Sequence, residues 1–175
     1  VLEIIKDLKN KCVGVIITSD KSYKNLEIKR GYKERDVLAG EDPYSASKSA
    51  AEIAIQSYVK SFFGNKKKYR IASVRAGNVI GGGDWNKSRI IPDCVNSIYK
   101  KKIAKIRNPN AVRPWQHVLE PLRGYLMLAE KLSKDSSLHG EAFNFGPKEQ
   151  AAYSVSDMLS EIKKNWKNFK WKKEK

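Results

Sequence analysis

The sequence predicts an α/β protein built on a partial doubly wound parallel sheet, with parts of a smaller lobe attached. Two observations favour this class. Segments with helical apolar spacing alternate along the chain with short apolar runs, and those runs lack the polar alternation of a half-exposed strand. The length of 175 residues is sufficient to bury one sizeable core.

The first part of the chain is predicted to form a helix, a strand and a second helix. Residues 1–10 (VLEIIKDLKN) have apolar side chains at helical spacing, and 13–19 (VGVIITS) are predicted to form a strand buried on both faces. Asp42 can then cap a helix that has Pro43 in its first turn and extends to about Phe62. We expect this helix to bury its apolar residues, which are Ala46, Ala50, Ile53, Ala54 and Phe62.

The alternation continues through the second half. Residues 69–83 (YRIASVRAGNVIGGG) are predicted to form a second buried strand that ends in glycines, and residues 88–102 a helix. A short edge strand is predicted over 103–108. Three further elements follow, namely a helix over 119–134, a strand over 141–146 and a serine-capped helix over 154–166.

The charge favours anionic ligands but does not choose among them. Lys and Arg number 35 against 19 Asp and Glu, so the formal net charge is +16. Such a surface suits nucleotides, nucleic acids or phospholipids. Residues 163–175 hold seven lysines and one glutamate. We interpret this end mainly as solvated, lysine-rich sequence rather than as a nucleic-acid site.

The cysteines and the apolar runs indicate the cellular setting. Cys12 and Cys94 lie far apart and have no CxxC or histidine spacing around them, which predicts neither a disulfide framework nor a metal site. No apolar run approaches the ~18 residues that span a bilayer, and the N-terminus lacks a secretory signal pattern. We therefore expect a cytoplasmic protein without a membrane partner.

The stretch DPYSASKSAAE at 42–52 places Tyr44 and Lys48 one turn apart on one helix face. A phenol ordinarily titrates near pH 10. An ammonium about 4 Å away, at an effective dielectric near 20, contributes about 4 kcal/mol, which is enough to make a phenolate accessible near neutral pH. The spacing therefore provides a general base, although such pairs are common on helix surfaces and the pattern alone is weak evidence.

A second polar group follows the first predicted strand. Ser19, Asp20 and Lys21 come directly after its last apolar residues, at the edge where open α/β sheets place their ligands. The helix that carries Tyr44 and Lys48 begins about 25 residues later. A hydroxyl, a carboxylate and a phenol can thus converge on one substrate of the size of a sugar.

Six motifs resemble one enzyme family in their order and spacing. They are TSDKSY, DPYSASKSAAE, SVRAGNVIGGGDW, RIIPD, RNPNAVRPWQHVLEPLRGYL and FNFGP. Together they resemble the extended short-chain dehydrogenase/reductases that act on nucleotide sugars, and among these the CDP-glucose 4,6-dehydratases, over nearly the whole chain to about residue 160. The resemblance implies a Rossmann-type sheet, NAD as cofactor, CDP-glucose or a similar nucleotide sugar as substrate, and a homodimer of the complete protein through residues 43–62.

The resemblance also implies a three-step reaction. Tyr44, assisted by Lys48, removes the C4 hydroxyl proton while a hydride leaves C4 for the nicotinamide, and Ser19 hydrogen-bonds the same hydroxyl. Water is then eliminated across C5 and C6 with Asp20 as the acid, and the hydride returns to C6. Lys21 stands where the dTDP-glucose dehydratases have the glutamate that takes the C5 proton. Two roles remain open for Lys21, a base or a partner of a phosphate or carboxylate.

Further contacts are implied by the same resemblance. The cofactor contacts are Thr18, Tyr44, Lys48, Arg75 and Ala76. The substrate contacts are Asn78, Arg89, Arg113, Trp115 and Gln116. Arginines suit phosphate oxygens because a guanidinium offers paired donors, although Arg113 could also be part of a plain surface loop. His117 receives no chemical step, and His139 is expected at the surface.

Members of that family open with a strand, a glycine-rich turn and a helix that bind the NAD pyrophosphate. That pattern does not occur in this sequence, so we interpret the chain as a piece of a longer enzyme that is inactive by itself. We expect four segments: the second half of the dinucleotide-binding domain (1–83), substrate-lobe and phosphate-binding segments (84–118), a returning helix and strand (119–149) and the start of a C-terminal substrate lobe (150–175).

Three other interpretations remain open. An epimerase or another nucleotide-sugar dehydratase or reductase fits the same fold, but Lys21 and RPWQHV argue against it. A nucleic-acid-binding module could use the charge and the aromatic residues, yet no RNP-like, helix-turn-helix or finger pattern occurs. A decayed remnant is disfavoured because the candidate catalytic residues are intact.

Overall fold

The computed structural model describes residues 1–28, 30–148 and 153–174. The chain divides into two compact units, of which the first comprises 1–77 with 119–146 and the second 78–118 with 147–175. The chain therefore changes unit after residues 77, 118 and 146, whereas the sequence predicts segment boundaries at 83, 118 and 149. Residues 149–152, where the last predicted boundary falls, lie outside the described residues.

The first unit contains a parallel three-stranded sheet in which the central strand Tyr69–Ala76 lies between Cys12–Ile17 and Ala142–Phe145. Its elements are α1 (Leu2–Asp7), β1 (Cys12–Ile17), a 3-10 turn (Asp20–Ser22), α2 (Pro43–Ser61), β2 (Tyr69–Ala76), α4 (Leu119–Lys134), a second 3-10 turn (Ser136–Leu138) and β7 (Ala142–Phe145). The register pairs Ile17 with Val74, and Ala76 with Phe145. Each of these helices and strands lies within a few residues of its predicted position, except that β2 ends before the predicted glycines.

Helices cover both faces of this sheet. Successive side chains of a strand point to opposite faces, and β2 uses both. Ile71 packs with Ile5 of α1 and Ile55 of α2, whereas Val74 packs with Leu128 of α4. The doubly wound parallel sheet that the sequence predicts is confirmed.

The prediction for the buried face of α2 is wrong. The predicted residues Ala46, Ala50, Ile53, Ala54 and Phe62 are all exposed. The buried residues are instead Ser45, Ser49, Glu52 and Ile55. The two faces differ by about 100° around the helix axis, which is a shift of one residue. Apolar spacing misses the true inner face because its polar side chains have hydrogen-bond partners inside the unit.

His139 corrects a second expectation, because it is buried rather than at the surface. Its Nδ1 accepts a hydrogen bond from the backbone N–H of Ile71 at 3.0 Å. Desolvation lowers the pKa of the imidazole. The residue therefore packs between the second 3-10 turn and β2 as part of the structure.

In its described residues, the second unit is built from short strand pairs and two helices. Its elements are β3 (Val79–Ile80), α3 (Ile90–Tyr99), β4 (Ala104–Ile106), β5 (Val112–Arg113), β6 (Gln116–His117), β8 (Tyr153–Ser154), α5 (Val155–Asn165) and β9 (Trp171–Lys173). β3 pairs with β6 and β4 with β9 in parallel, and β5 pairs with β8 antiparallel. The core is formed by Cys94, Ala104, Ile106, Val155, Leu159 and Phe169.

Two details of this unit bear on the sequence analysis. Ser154 caps α5 in a capping box with Asp157, as predicted. Part of the lysine-rich end forms β9, and Phe169 just before it is buried, so this end is more ordered than its composition indicates. Over the described part of the chain, no helix is both long enough and apolar enough to cross a bilayer.

Candidate active site

Tyr44 lies in the first turn of α2, which Asp42 caps. One carboxylate oxygen of Asp42 accepts hydrogen bonds from the backbone N–H groups of Tyr44 and Ser45, each at 3.0 Å, and the other accepts from the Ser45 hydroxyl at 2.6 Å. These bonds, those of Ser45 first, lower the pKa of Asp42, and the charge of Lys21 acts in the same direction. The cap therefore fixes the start of the helix and the backbone of Tyr44.

Tyr44 and Lys48 are brought together as the spacing predicts. The Lys48 Nζ lies 5.7 Å from the centroid of the Tyr44 ring, within the range in which a cation interacts with an aromatic face. Tyr44 is 55% exposed. A phenol beside an ammonium is thus accessible to a ligand.

Ser19, Asp20 and Lys21 follow β1 in a 3-10 turn that packs against α2. Ser19 is buried, and its hydroxyl accepts from the backbone N–H of Lys21 at 3.2 Å and donates to Asp20 Oδ1 at 3.1 Å. The turn is linked to the helix because the Ser49 hydroxyl donates to the carbonyl of Ser22 at 2.7 Å. The five predicted catalytic residues therefore lie on two adjoining elements of one unit.

Two predicted cofactor contacts have side chains that face the interior. The Thr18 hydroxyl donates to Glu52 and to the carbonyl of Val74. The Arg75 side chain is fully buried in an ion pair with Glu52. Both side chains are therefore engaged inside the unit, whereas Ala76 is half-buried at the end of β2.

Glu52 is a buried charged residue next to the site that the sequence patterns did not predict. Its carboxylate accepts from Arg75 Nε at 2.9 Å and Nη2 at 2.8 Å, from the Ser73 hydroxyl at 2.9 Å and from the Thr18 hydroxyl. Desolvation raises the pKa of Glu52, but the bonds from Arg75 and Thr18 outweigh it and the pKa is lowered. The available signal was a lone carboxylate eight residues after Tyr44, between alanine and isoleucine.

The predicted substrate contacts all belong to the second unit. Arg89 Nη1 forms an ion pair with Asp84 at 3.0 Å and is largely exposed, and Arg113 Nη1 donates to the carbonyl of Val112 at 2.8 Å. The Asn78 carbonyl accepts from the backbone N–H of Gln116 at 3.0 Å. The Trp115 indole donates to the carbonyl of Tyr153 at 3.2 Å. The indole N–H of Trp115 thus forms a hydrogen bond within its own unit.

Metal chemistry has no candidate site in the ranges that the structure describes, because no group of histidine, cysteine, aspartate or glutamate side chains there is arranged to hold an ion. The site depends instead on a capped helix that presents a tyrosine and a lysine beside the carboxyl end of a parallel strand. This arrangement on a doubly wound sheet is typical of the short-chain dehydrogenase/reductase class.

The chain belongs to the NAD dependent epimerase/dehydratase family, which it matches over residues 1–146. It is 45% identical to a CDP-glucose 4,6-dehydratase of Salmonella typhimurium over 170 residues, which cover 94% of this chain and 47% of that protein. It is 34% identical to a dTDP-D-glucose 4,6-dehydratase of Dictyostelium discoideum over 89 residues, which cover 51% of this chain and 19% of that protein. The chain thus spans about half of the length of the Salmonella relative.

Solved structures support the fold. A UDP-glucuronic acid 4-epimerase from Bacillus cereus superposes with a TM-score of 0.83 at 21% identity, covering 99% of this chain and 52% of that one. A dTDP-glucose 4,6-dehydratase from Bacillus anthracis, solved with NAD, superposes with a TM-score of 0.78 at 22% identity, covering 99% of this chain and 53% of that one. At such identities the likeness concerns the fold alone. The predicted Rossmann-type class is confirmed.

Proposed function

We propose that the complete protein containing this chain catalyses the NAD-dependent 4,6-dehydration of CDP-glucose. The observation that carries the proposal is the exposed Tyr44 phenol with the Lys48 ammonium 5.7 Å from its ring centroid, beside the turn of Ser19 to Lys21. The 45% identity to the Salmonella dehydratase favours this substrate over those of the other relatives.

The residues present fit a nicotinamide cofactor, because a solvent-facing phenol and an ammonium stand together at the carboxyl end of β1. Tyr44 and Lys48 would contact it through their side chains, and the further candidate contacts are Thr18, Arg75 and Ala76 at the adjoining ends of β1 and β2. The chemistry that NAD would supply there is reversible acceptance of a hydride from the sugar. The side chains of this chain carry out the proton transfers.

In the proposed mechanism, Tyr44 takes the proton of the C4 hydroxyl as general base, with the Lys48 ammonium beside its ring. Ser19 orients that hydroxyl. Asp20 donates a proton to the C6 hydroxyl as it leaves, and Lys21 is the candidate for removal of the C5 proton. Lys21 is exposed and close enough to Asp42 to lower the pKa of that carboxyl, so pairing with an anionic group remains its alternative role.

For the nucleotide end we propose contacts from Asn78, Arg89, Arg113, Trp115 and Gln116. The two guanidinium groups suit diphosphate oxygens, which they can bind with paired donors. For the cellular setting we propose the cytoplasm, because both Cys12 and Cys94 are free thiols.

We also propose that the complete protein is a homodimer that uses the outer face of α2. Ala46, Ala50 and Ala54 form a ridge of small side chains, and Ile53 beside it is 56% exposed. Exposed apolar surface of this kind is typical of a protein interface. Small residues also permit two helices to approach closely.

The test uses the complete protein with CDP-glucose that carries deuterium at C4, with dTDP-glucose and UDP-glucuronic acid in parallel. We expect a 4-keto-6-deoxy product from CDP-glucose, with the deuterium transferred to C6. Product formation from dTDP-glucose should be at least about 100-fold slower. A C4 epimer with deuterium back at C4 would overturn the dehydratase assignment in favour of an epimerase.

A further inference from the structure

Glu52 lies about two helical turns beyond Tyr44. It follows Lys48 by four residues, as Lys48 follows Tyr44. Its side chain and that of Arg75 both have 0% exposure. Each carboxylate oxygen accepts two hydrogen bonds, because Thr18 and Arg75 Nε contact Oε1 while Ser73 and Arg75 Nη2 contact Oε2. Four bonds use the full acceptor capacity of a carboxylate.

The network continues from Arg75 to three other parts of the unit. Its Nη1 donates to the Tyr23 hydroxyl at 2.7 Å and to the carbonyl of Glu34 at 3.0 Å. The Tyr23 hydroxyl donates in turn to Asn144 Oδ1 of β7 at 2.7 Å, and the guanidinium carbon lies 4.9 Å from the Tyr23 ring centroid. One hydrogen-bonded network therefore joins α2, the end of β1, the central strand β2, the backbone at Glu34 and β7.

Burial alone does not require this arrangement. A buried ion pair can often be replaced by apolar side chains of similar volume at no cost in stability. Apolar contacts, unlike hydrogen bonds, do not depend on direction. Four oriented bonds on Glu52 fix how far α2 is rotated about its axis, and the bond from Thr18 fixes that rotation relative to the residue just before Ser19.

The proposed reaction is sensitive to the rotation of α2 about its axis. Side chains end about 5–6 Å from a helix axis, so a rotation of about 10° moves them by about 1 Å. A misplacement of about 1 Å can cost about 100-fold in rate. Loss of the oriented hydrogen bonds of Glu52 would thus displace the side chains of Tyr44 and Lys48. No contact between Glu52 and a substrate is needed for this effect.

We propose that Glu52 and Arg75 are a positioning pair that keeps Tyr44 and Lys48 in place relative to Ser19 and Asp20. The inference rests on the proposed function, and it gives Arg75 a structural task in the site in place of a side-chain contact with the cofactor. Neither residue touches the reacting atoms. Thr18, Tyr23 and Asn144 extend the pair to the neighbouring elements.

The experiment compares three variants of the complete protein. Glu52→Gln keeps the shape of the side chain but leaves the Arg75 charge unpaired, so we expect both melting temperature and kcat to fall. The double variant Glu52→Met with Arg75→Met removes both charges, so we expect its melting temperature to recover to near the native value. Its kcat should remain at least about 30-fold reduced, with KM for the nucleotide sugar within about threefold of the native value.

The matched control is Glu130→Gln, which breaks the exposed ion pair with Lys134 on α4 and should change neither quantity. A second readout does not need activity. Hydrogen exchange at residues 18–22 and 43–48 should accelerate in the double variant while β2 stays protected. A double variant with native kcat and native exchange at these residues would overturn the positioning role, whereas an inactive native protein with the expected exchange would instead contradict the proposed function.

Discussion

A Cβ atom added at Gly40 would lie 2.0 Å from the backbone nitrogen of Ala46. The segment before α2 therefore passes directly against the first turn of the helix, next to the Asp42 cap. Only a residue without a side chain permits this approach. The position of Tyr44 thus depends on a glycine outside the helix as well as on the residues within it.

Gly40→Ala should destabilise the protein strongly. Overpacking commonly costs about 1–3 kcal/mol, and a clash with backbone cannot be relieved by a change of rotamer, so we expect about 3 kcal/mol in the free energy of unfolding. Chemical denaturation measures it. Gly31→Ala is the matched control, because nothing lies within 4 Å of its added Cβ, and it should change stability by less than about 0.5 kcal/mol. Equal stability of the two variants would refute the packing argument.

We expect the stability of the loop before α2 to depend on pH through the carboxylate of Asp36. Arg30 donates to both of its carboxylate oxygens at 2.7 and 2.8 Å, and the Lys33 N–H donates at 2.7 Å. These bonds, those of Arg30 first, lower the pKa of Asp36 to about 2. The stabilisation is therefore complete above the unfolded pKa of about 4, and it is lost as the pH falls toward 2.

The measurement for this loop is the melting temperature of the native protein and of Asp36→Asn between pH 2 and pH 6. The native protein should be the more stable at pH 6, and the difference should shrink steadily below pH 4. A difference that stays constant over the whole range would show that Asp36 does not contribute through its charge.

Arg89→Ala tests the proposed phosphate contact. Hydrogen bonds to charged groups contribute about 1.5–3 kcal/mol, so KM for CDP-glucose in the complete protein should rise about 10- to 100-fold with kcat nearly unchanged. Arg107→Ala, another exposed arginine of the second unit, serves as the control and should leave KM unchanged. Equal KM values for both variants would remove Arg89 from the site.

Ile53→Arg tests the proposed dimer. A charge on the exposed face of α2 cannot be buried against a second copy without a partner, so we expect light scattering to give the mass of a monomer. Lys131→Glu, at an exposed position of α4, is the control and should leave the mass of the dimer unchanged. A dimer that persists in Ile53→Arg would place the interface elsewhere.

The sequence was sufficient for the regular elements and for the residues that stand in motifs. β1, β2, α2 and α4 carry long apolar patterns or clear caps, and these survive in the fold. The two-residue strands, such as β3 and β6, could not be predicted because two residues have no periodicity. Glu52 was not predicted for a different reason. Its burial depends on hydrogen bonds with Thr18, Ser73 and Arg75, which lie on other elements.

The central claim is that Tyr44, supported by Lys48, is the base of a sugar oxidation, and Tyr44→Phe in the complete protein tests it most directly. General base catalysis contributes about 10²- to 10⁴-fold, so the rate of 4-keto sugar formation from CDP-glucose should fall about 1,000-fold without loss of fold. Tyr99→Phe, at a residue that is 78% exposed in the second unit, should retain the native rate. A Tyr44→Phe enzyme that keeps its rate within about twofold would contradict the account.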